Sequence, residues 1–418
     1  MFLRRIVIDN VRSVKHLDLN LAAGDGDGRH WTFLLGENGT GKSTILRSIA
    51  LVLAGSDALP ELLGNAGDWV RFKAKKARIR AELMTADGEP RTAEIVIAPE
   101  DTIRNVFERN GRSLADLEQA LAHSSRNYFT VGYGVSRRPS DEKSSVIQST
   151  SLFTHPRART MATLFSPHAS LVSLETWAMD LDYRGKAGFA SVKNAMNRLL
   201  PGLTLKRIDR DKRELIFGTP DGEMPYRLLS EGYQNVAAWT GDLLYQITNV
   251  FEDYANPFSA RGLLLIDEID LHLHPIWQRQ LMQFVGTRFP NLQIIATTHS
   301  PLTVHQAGEG ELFFLRRATP RAPAQLIAYE GAPRDLMLHQ LLTSPLFGLT
   351  SLDSRPVEKK KAEYRQLRDS RARSLSDGSR MRELADELAD TPDWGEGIDG
   401  QQEVTKALRA IEKQLSKR

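Results

Sequence analysis

The chain of 418 residues contains no cysteine. This absence excludes disulfides, thiolate nucleophiles and cysteine-based metal centres, and it leaves oxidising export nothing to act on. Long apolar runs are missing as well; none approaches the ~20 residues that span a bilayer. Neither sign of charge dominates: 55 Lys and Arg face 52 Asp and Glu, a formal net charge of +3. Composition alone therefore does not announce a nucleic-acid-binding protein. There is no internal repeat and no long heptad array. The opening Met1-Phe2-Leu3-Arg4-Arg5-Ile6-Val7-Ile8-Asp9 is too short and too charged for a signal peptide. Together these absences predict a soluble, cytoplasmic protein that meets a membrane only through a partner. The apolar fraction is that of an ordinary globular protein, and the length allows roughly two or three domains' worth of core.

What is present begins at residues 36–44, Gly-Glu-Asn-Gly-Thr-Gly-Lys-Ser-Thr. Gly36, Gly41, Lys42 and Ser43 fill the demanded positions of a phosphate-binding loop, with Gly39 between them. The apolar Trp31–Leu35 ahead of it reads as a buried strand and Ile45–Leu53 behind it as a helix. Glycine lets backbone wrap closely around phosphate, because no Cβ blocks left-handed conformations. Backbone N–H groups and a helix N-terminus then face a polyanion. Asn38, Gly39, Thr40, Gly41, Lys42, Ser43 and Thr44 are thus the expected cradle for a nucleotide's phosphates. Lys42 reaches the β- and γ-phosphates, Ser43 ligates Mg²⁺, and Thr44 supports the phosphates.

Along the chain, Leu3–Val11 and Leu17–Leu21 read as a hairpin with a basic turn at Arg12–His16, followed by a flexible loop at Asp25–Gly28. Ala77–Met84 and Arg91–Ala98 alternate apolar and polar residues around Asp87-Gly88 and predict an antiparallel β layer. Residues 100–125 read as helix, Phe129–Gly134 as strand and Ser136–Thr150 as a mobile loop. Leu171–Leu200 predicts two helices broken at Gly185. Leu203–Ile208 and Glu214–Gly218 predict a small hairpin, and Gln234 to about Tyr254 a helix. Residues 262–317 alternate strand and helix as a parallel α/β core does, and 333–418 is helical and charged. The expected division is 1–60 with 226–332 as an ATPase head, 61–225 as β layer plus helical insert, and 333–418 as a helical C-terminal region.

Further stretches complete a nucleotide site. Leu263–Ile266 is an apolar strand that ends in Asp267 and Glu268. Such a strand delivers acids to the carboxyl edge of a parallel sheet, where α/β folds bind ligands. Asp267 suits Mg²⁺, and Glu268 suits orienting or deprotonating the attacking water. Gln293–Thr298 is a second buried strand and ends in His299, whose imidazole suits a γ-phosphate or the lytic water. Ser230 opens a helix at Leu-Leu-Ser-Glu-Gly-Tyr-Gln and reads as its N-cap, an anion site at a positive helix end. His272 and His274 look like a metal pair, but residues two apart on a helix do not face the same way. Pro275 argues for a turn, and the segment reads better as a dimer-facing loop than as zinc ligands.

In this order the motifs resemble those of ABC-type ATPases. More narrowly, Asp-Glu-Ile-Asp-Leu-His-Leu-His-Pro at 267–275 and Thr-Thr-His-Ser-Pro-Leu at 297–302 resemble stand-alone AAA-family proteins near RecF, SMC and OLD ATPases. In layout the chain resembles the Septu-type anti-phage defence ATPases, including the segment Tyr133-Gly134…Arg137-Arg138. The resemblance implies an ABC-type P-loop head of α/β class with an antiparallel β layer, a central insert and a helical tail. It implies ATP and Mg²⁺ as cofactors, Glu268 as catalytic base and His299 as switch histidine. Ser230 and Gly232 would form the signature that contacts ATP from the opposite subunit of a homodimer or higher homo-oligomer. His272–His274 fall where the D-loop would lie. Glu231 and Tyr233-Gln234 replace the usual Gly-Gly-Gln, no Q-loop glutamine is evident, and hydrolysis is expected to be slow or conditional.

The expected role is a regulatory ATPase that controls a separate effector, a nuclease or toxin, in a defence complex. The rivals are a RecF-type DNA repair ATPase and the ATPase subunit of a transporter. Lys359, Lys360, Lys361, Arg365, Arg368, Arg371, Arg373, Arg380 and Arg382 form either a nucleic-acid surface or a solvated helix face. Val404, Ala407, Leu408, Ile411 and Leu415 form a helical stripe for the chain's own core or for a partner. Arg137 and Arg138 lie near phosphate or DNA, or in a basic mobile loop.

Overall fold

The computed structural model describes residues 2–22, 29–85, 88–121, 129–137, 153–200, 202–251, 257–319, 321–370 and 375–389. The chain forms two compact units, Met1–Leu341 and Leu342–Arg418. In the first, β1 (Phe2–Val11), β2 (Val14–Asn20), β4 (Ala77–Met84) and β5 (Pro90–Ile97) make an antiparallel sheet in the order β2-β1-β4-β5. A second sheet has the order β13-β12-β3-β11-β10-β6. Its strands are β3 (Trp31–Gly36), β6 (Thr130–Tyr133), β10 (Gly262–Ile266), β11 (Leu292–Thr298), β12 (Leu312–Arg317) and β13 (Ala324–Ala328). All neighbours in it are parallel except the edge pair β12–β13. A small meander, β7 (Thr204–Asp209), β8 (Glu214–Thr219) and β9 (Gly222–Pro225), stands apart.

The helix Lys42–Leu53 packs against strands of both sheets. Ile45, Leu46 and the whole run Ile49–Leu53 are consequently buried, which is why this helix is apolar nearly all round. The parallel strands β10 and β11 are likewise buried at every position, as covering on both faces demands. Gln293, a polar residue in that core, is satisfied by β1: its Oε1 accepts from the Leu3 N–H at 2.8 Å and its Nε2 donates to the Leu3 carbonyl at 2.8 Å.

The α/β class, the two layers and the paired 77–84 and 90–97 strands follow the expectation. Helices at Ile103–Leu121, Leu174–Arg184 and Lys186–Leu199 do so too. Three details differ. Val14, Lys15 and His16 belong to β2 rather than to a turn, because Val14 pairs with Val11 and is buried. The bend is Arg12-Ser13 alone, with Arg12 in the left-handed region at φ +49°. The helix expected from Gln234 starts at Glu231 and ends at Val250, its first turn carrying an acid where the helix dipole favours one. Strand β9 was not expected. The loop at 25–28, residues 138–150 and the stripe Val404–Leu415 lie outside the described residues. No described helix is long and apolar enough to cross a membrane.

In the second unit the helices Arg355–Asp369 and Leu375–Leu388 carry the basic residues of the tail. Lys361 is buried and donates to Asp353 at 2.8 Å. Lys360 pairs with Glu387 at 2.9 Å, and Arg380 bridges Glu363 at 2.8 Å and Glu383 at 2.6 Å. These cations are engaged by acids of the same unit, as a solvated ion-paired face requires. Arg371 and Arg373 lie outside the described residues.

Candidate functional site

Four neighbouring parallel strands, β3, β11, β10 and β6, bring their carboxyl ends to one edge of the sheet. The phosphate loop follows β3, His299 follows β11, Asp267 and Glu268 follow β10, and the turn Gly134–Arg137 follows β6. Register keeps these ends level: Thr298 lies beside Leu35, and Ile266 beside both Ala296 and Tyr133.

The loop has the shape its glycines allow. Gly39 and Gly41 sit at φ +77° and +108°. A Cβ on Gly41 would lie 2.9 Å from Val14 Cγ2, so the hairpin turn of the antiparallel sheet presses against the loop. Thr40 is buried and its hydroxyl donates to the Glu37 carbonyl at 2.8 Å. The Lys42 amine donates to the carbonyls of Gly36 at 2.7 Å and Glu37 at 3.1 Å. Burial pulls its pKa below the ordinary lysine value, against the pull of Asp267 and Glu268. Ser43 and Thr44 are half-buried at the start of the helix, and Asn38 is exposed at the loop's crest.

Thr297 organises the acid pair. Its hydroxyl donates to Asp267 Oδ1 at 2.6 Å and accepts from the Glu268 N–H at 2.7 Å, one donor and one lone pair in use. The carbonyl of Thr297 accepts from Ile269 at 3.0 Å. Asp267 is buried, and its own N–H donates to the Tyr133 carbonyl at 2.8 Å. Glu268 is half-buried and lies at φ +50°, where a non-glycine residue is uncommon. His299 is exposed at the end of β11. Burial and then Lys42 hold its pKa below the ordinary histidine value, with Glu268, Asp270 and Asp267 opposing.

Ser230 and Gly232 are placed elsewhere. Ser230 is exposed and occupies the N-cap position of the helix Glu231–Val250, but its side chain makes no capping hydrogen bond. The expected hydroxyl cap is therefore corrected. Gln234 acts on the segment before the helix instead: its Nε2 donates to the carbonyls of Leu229 at 2.6 Å and Arg227 at 3.1 Å. Gly232 lies against the loop after the acids; a Cβ there would fall 2.9 Å from the His272 carbonyl. Tyr233 meets Trp277 edge to face at 4.9 Å. His274 caps the helix Pro275–Arg288, its Nδ1 accepting from Ile276 at 3.4 Å.

Two residues gain roles that sequence reasoning did not assign. Arg317, at the end of β12, donates to the Gly39 carbonyl at 2.9 Å and ties down the phosphate loop. Arg137, read as near phosphate or DNA or as part of a mobile loop, is only 3% exposed and donates to the Glu268 carbonyl at 2.6 Å. A buried side chain cannot reach DNA, so the DNA alternative is corrected for Arg137; Arg138 lies outside the described residues. The signal for Arg137 was positional, a cation just after a strand that borders the acid strand.

The family described as "AAA domain, putative AbiEii toxin, Type IV TA system" matches residues 32–305, from the phosphate-loop strand to beyond His299. The chain belongs to this AAA-domain family. It is 28% identical over 402 residues to the Septu protein PtuA of Bacillus mycoides (strain KBAB4), covering 91% of this chain and 52% of that protein. It is 33% identical over 126 residues to the retron Ec83 probable ATPase of Escherichia coli, covering 30% of this chain and 23% of that protein. Among solved structures, an SMC head bound to the C-winged helix domain of ScpA aligns with a TM-score of 0.48 at 14% identity, over 79% of this chain and 98% of that one. The chain spans about half the length, or less, of these curated relatives.

Proposed function

We propose that this AAA-domain chain hydrolyses ATP with Mg²⁺ and uses nucleotide state to control its own pairing. Through that pairing it regulates a separate effector, a nuclease or toxin, in a prokaryotic anti-phage defence complex. The observation that carries this reading is the convergence of phosphate loop, acid pair and His299 on the adjacent strands β3, β11 and β10. The residues present fit the substrate. Left-handed glycines shape a cradle, a buried Lys42 has N–H groups to turn toward phosphate, and Thr297 has already oriented the acids.

In this reading Asn38, Gly39, Thr40, Gly41, Lys42, Ser43 and Thr44 bind the triphosphate. Ser43 and Asp267 would hold Mg²⁺, which neutralises phosphate charge when bound. Glu268 orients and deprotonates the attacking water, and His299 holds the γ-phosphate side. Ser230 and Gly232, exposed or half-exposed at a helix opening, serve the phosphate of a second copy. A triphosphate that bridges two copies does so only while intact, so hydrolysis releases the pair. The names of the relatives support the defence setting: one is a Septu protein and one a retron probable ATPase.

Glu268→Gln tests the reading in the full chain. The expected outcome is ATP binding at micromolar concentrations with Mg²⁺ and turnover reduced about a hundredfold or more. Unchanged turnover would move the base elsewhere, and absence of ATP binding by the wild-type chain would end the proposal.

A further inference from the structure

Resting on the ATPase reading above, we propose that Arg137 is a positioning residue for hydrolysis, clamping the backbone of Glu268 so that its carboxylate faces the nucleotide. Three independent features converge on it. First, the turn that carries Arg137 is itself fixed. Gly134 approaches the chain so closely that a Cβ there would lie 2.0 Å from the Thr163 carbonyl, and the Arg137 N–H closes the turn onto the Val135 carbonyl at 3.1 Å.

Second, Glu268 needs restraint. Its φ of +50° is a strained conformation for a residue with a Cβ. Such a conformation persists only where surroundings over-determine it. Here both of its peptide groups are held: Thr297 accepts from its N–H, and its carbonyl accepts from Arg137 Nη2 as well as from the Leu271 N–H at 3.1 Å. Were φ to relax to negative values, the side chain would leave its present direction.

Third, Arg137 is not an ordinary structural cation. It makes no ion pair among the described residues, although Asp267, Asp270 and Glu268 all act on it electrostatically. Among the described residues its Nε and Nη1 are buried without a hydrogen-bond partner, and so is Asp270 Oδ1. Burying an unpaired guanidinium is costly, and a residue placed only for stability would have closed that pair. Nη2, by contrast, is spent on a main-chain carbonyl of the catalytic segment.

The test uses the full chain with ATP and Mg²⁺ and compares Arg137→Met with Arg137→Lys. Turnover per nucleotide-binding site is measured beside equilibrium binding of ATP. Arg137→Met is expected to lower kcat about 10- to 100-fold, the range for residues that orient a catalytic group. ATP affinity should stay within about threefold, and Arg137→Lys should recover part of kcat. A crystal structure of Arg137→Met should show Glu268 out of the left-handed region. The inference is overturned if kcat per binding site is unchanged in both variants, if affinity falls as far as kcat, or if Glu268 keeps φ near +50°. Should Arg137→Met fail to fold, Arg137→Lys decides alone by the same split: kcat loss at constant affinity supports the role, unchanged kcat ends it. A wild-type chain without turnover sinks the ATPase reading and this role together; an active wild type with indifferent variants sinks this role only.

Discussion

At the scale of single residues, the site is governed by hydrogen bonds that connect one strand end to the next. Thr297 holds Asp267 and Glu268 at once, so Thr297→Val removes two contacts at nearly constant volume. The expected outcome is a 10- to 100-fold lower kcat with a raised Mg²⁺ requirement, read from turnover as a function of Mg²⁺ concentration. Turnover equal to wild type at every Mg²⁺ concentration would show that the acids orient themselves. Much of this site was legible in the sequence, since a phosphate loop, a strand ending in two acids and a strand ending in histidine each declare their chemistry locally. Thr297 and Arg317 were not assigned roles there, and Arg137 was not assigned this one, because their partners lie in loops that follow other strands and only the sheet order brings them together. Ser230 shows the reverse limit. Its position as N-cap was readable, but its hydroxyl makes no capping hydrogen bond, because the side-chain direction is set by the fold and not by the cap position.

At the scale of elements, the helices around the phosphate-loop helix are joined by Glu118. It accepts from the N–H of Ser56 at 3.1 Å and its hydroxyl at 3.2 Å, and from Arg157. Arg157 also donates to the Ala54 carbonyl at 3.1 Å, directly above the left-handed Gly55. Arg157 holds the Glu118 carboxyl below the ordinary glutamate value. A depressed carboxylate pKa contributes stability that is complete above its unfolded value of about 4.3 and is lost as pH falls through the folded value. Glu118→Gln should therefore cost roughly 1 kcal/mol near neutral pH, after allowance for solvent screening. The difference from wild type should shrink as pH falls below the unfolded value and vanish once it is below the depressed folded one, as measured by urea denaturation across pH. A difference that persists in acid would assign the effect to packing. The same elements show why local patterning succeeded. β4 and β5 alternate inward and outward residues along one buried face, and β10 and β11 are continuous apolar runs. Strand β9, four residues long with both Gly and Pro, offers no such period, and only its pairing with β8 makes it a strand.

At the scale of the whole molecule, the central claim is that two copies pair through nucleotide. The geometry that supports it is the exposure of Ser230 at the opening of the helix Glu231–Val250, with Leu228, two residues before it, 60% exposed. In the tail helices Lys360, Lys361 and Arg380 are engaged by acids of the same unit, which lowers the charge those three could offer to DNA. The most direct test is the solution mass of Glu268→Gln by light scattering, with and without ATP and Mg²⁺, beside the double variant Glu268→Gln/Ser230→Arg. The account expects a doubled mass only with nucleotide, and its loss in the double variant while ATP binding persists. A mass indifferent to ATP, or a pair that survives Ser230→Arg undiminished, would contradict it.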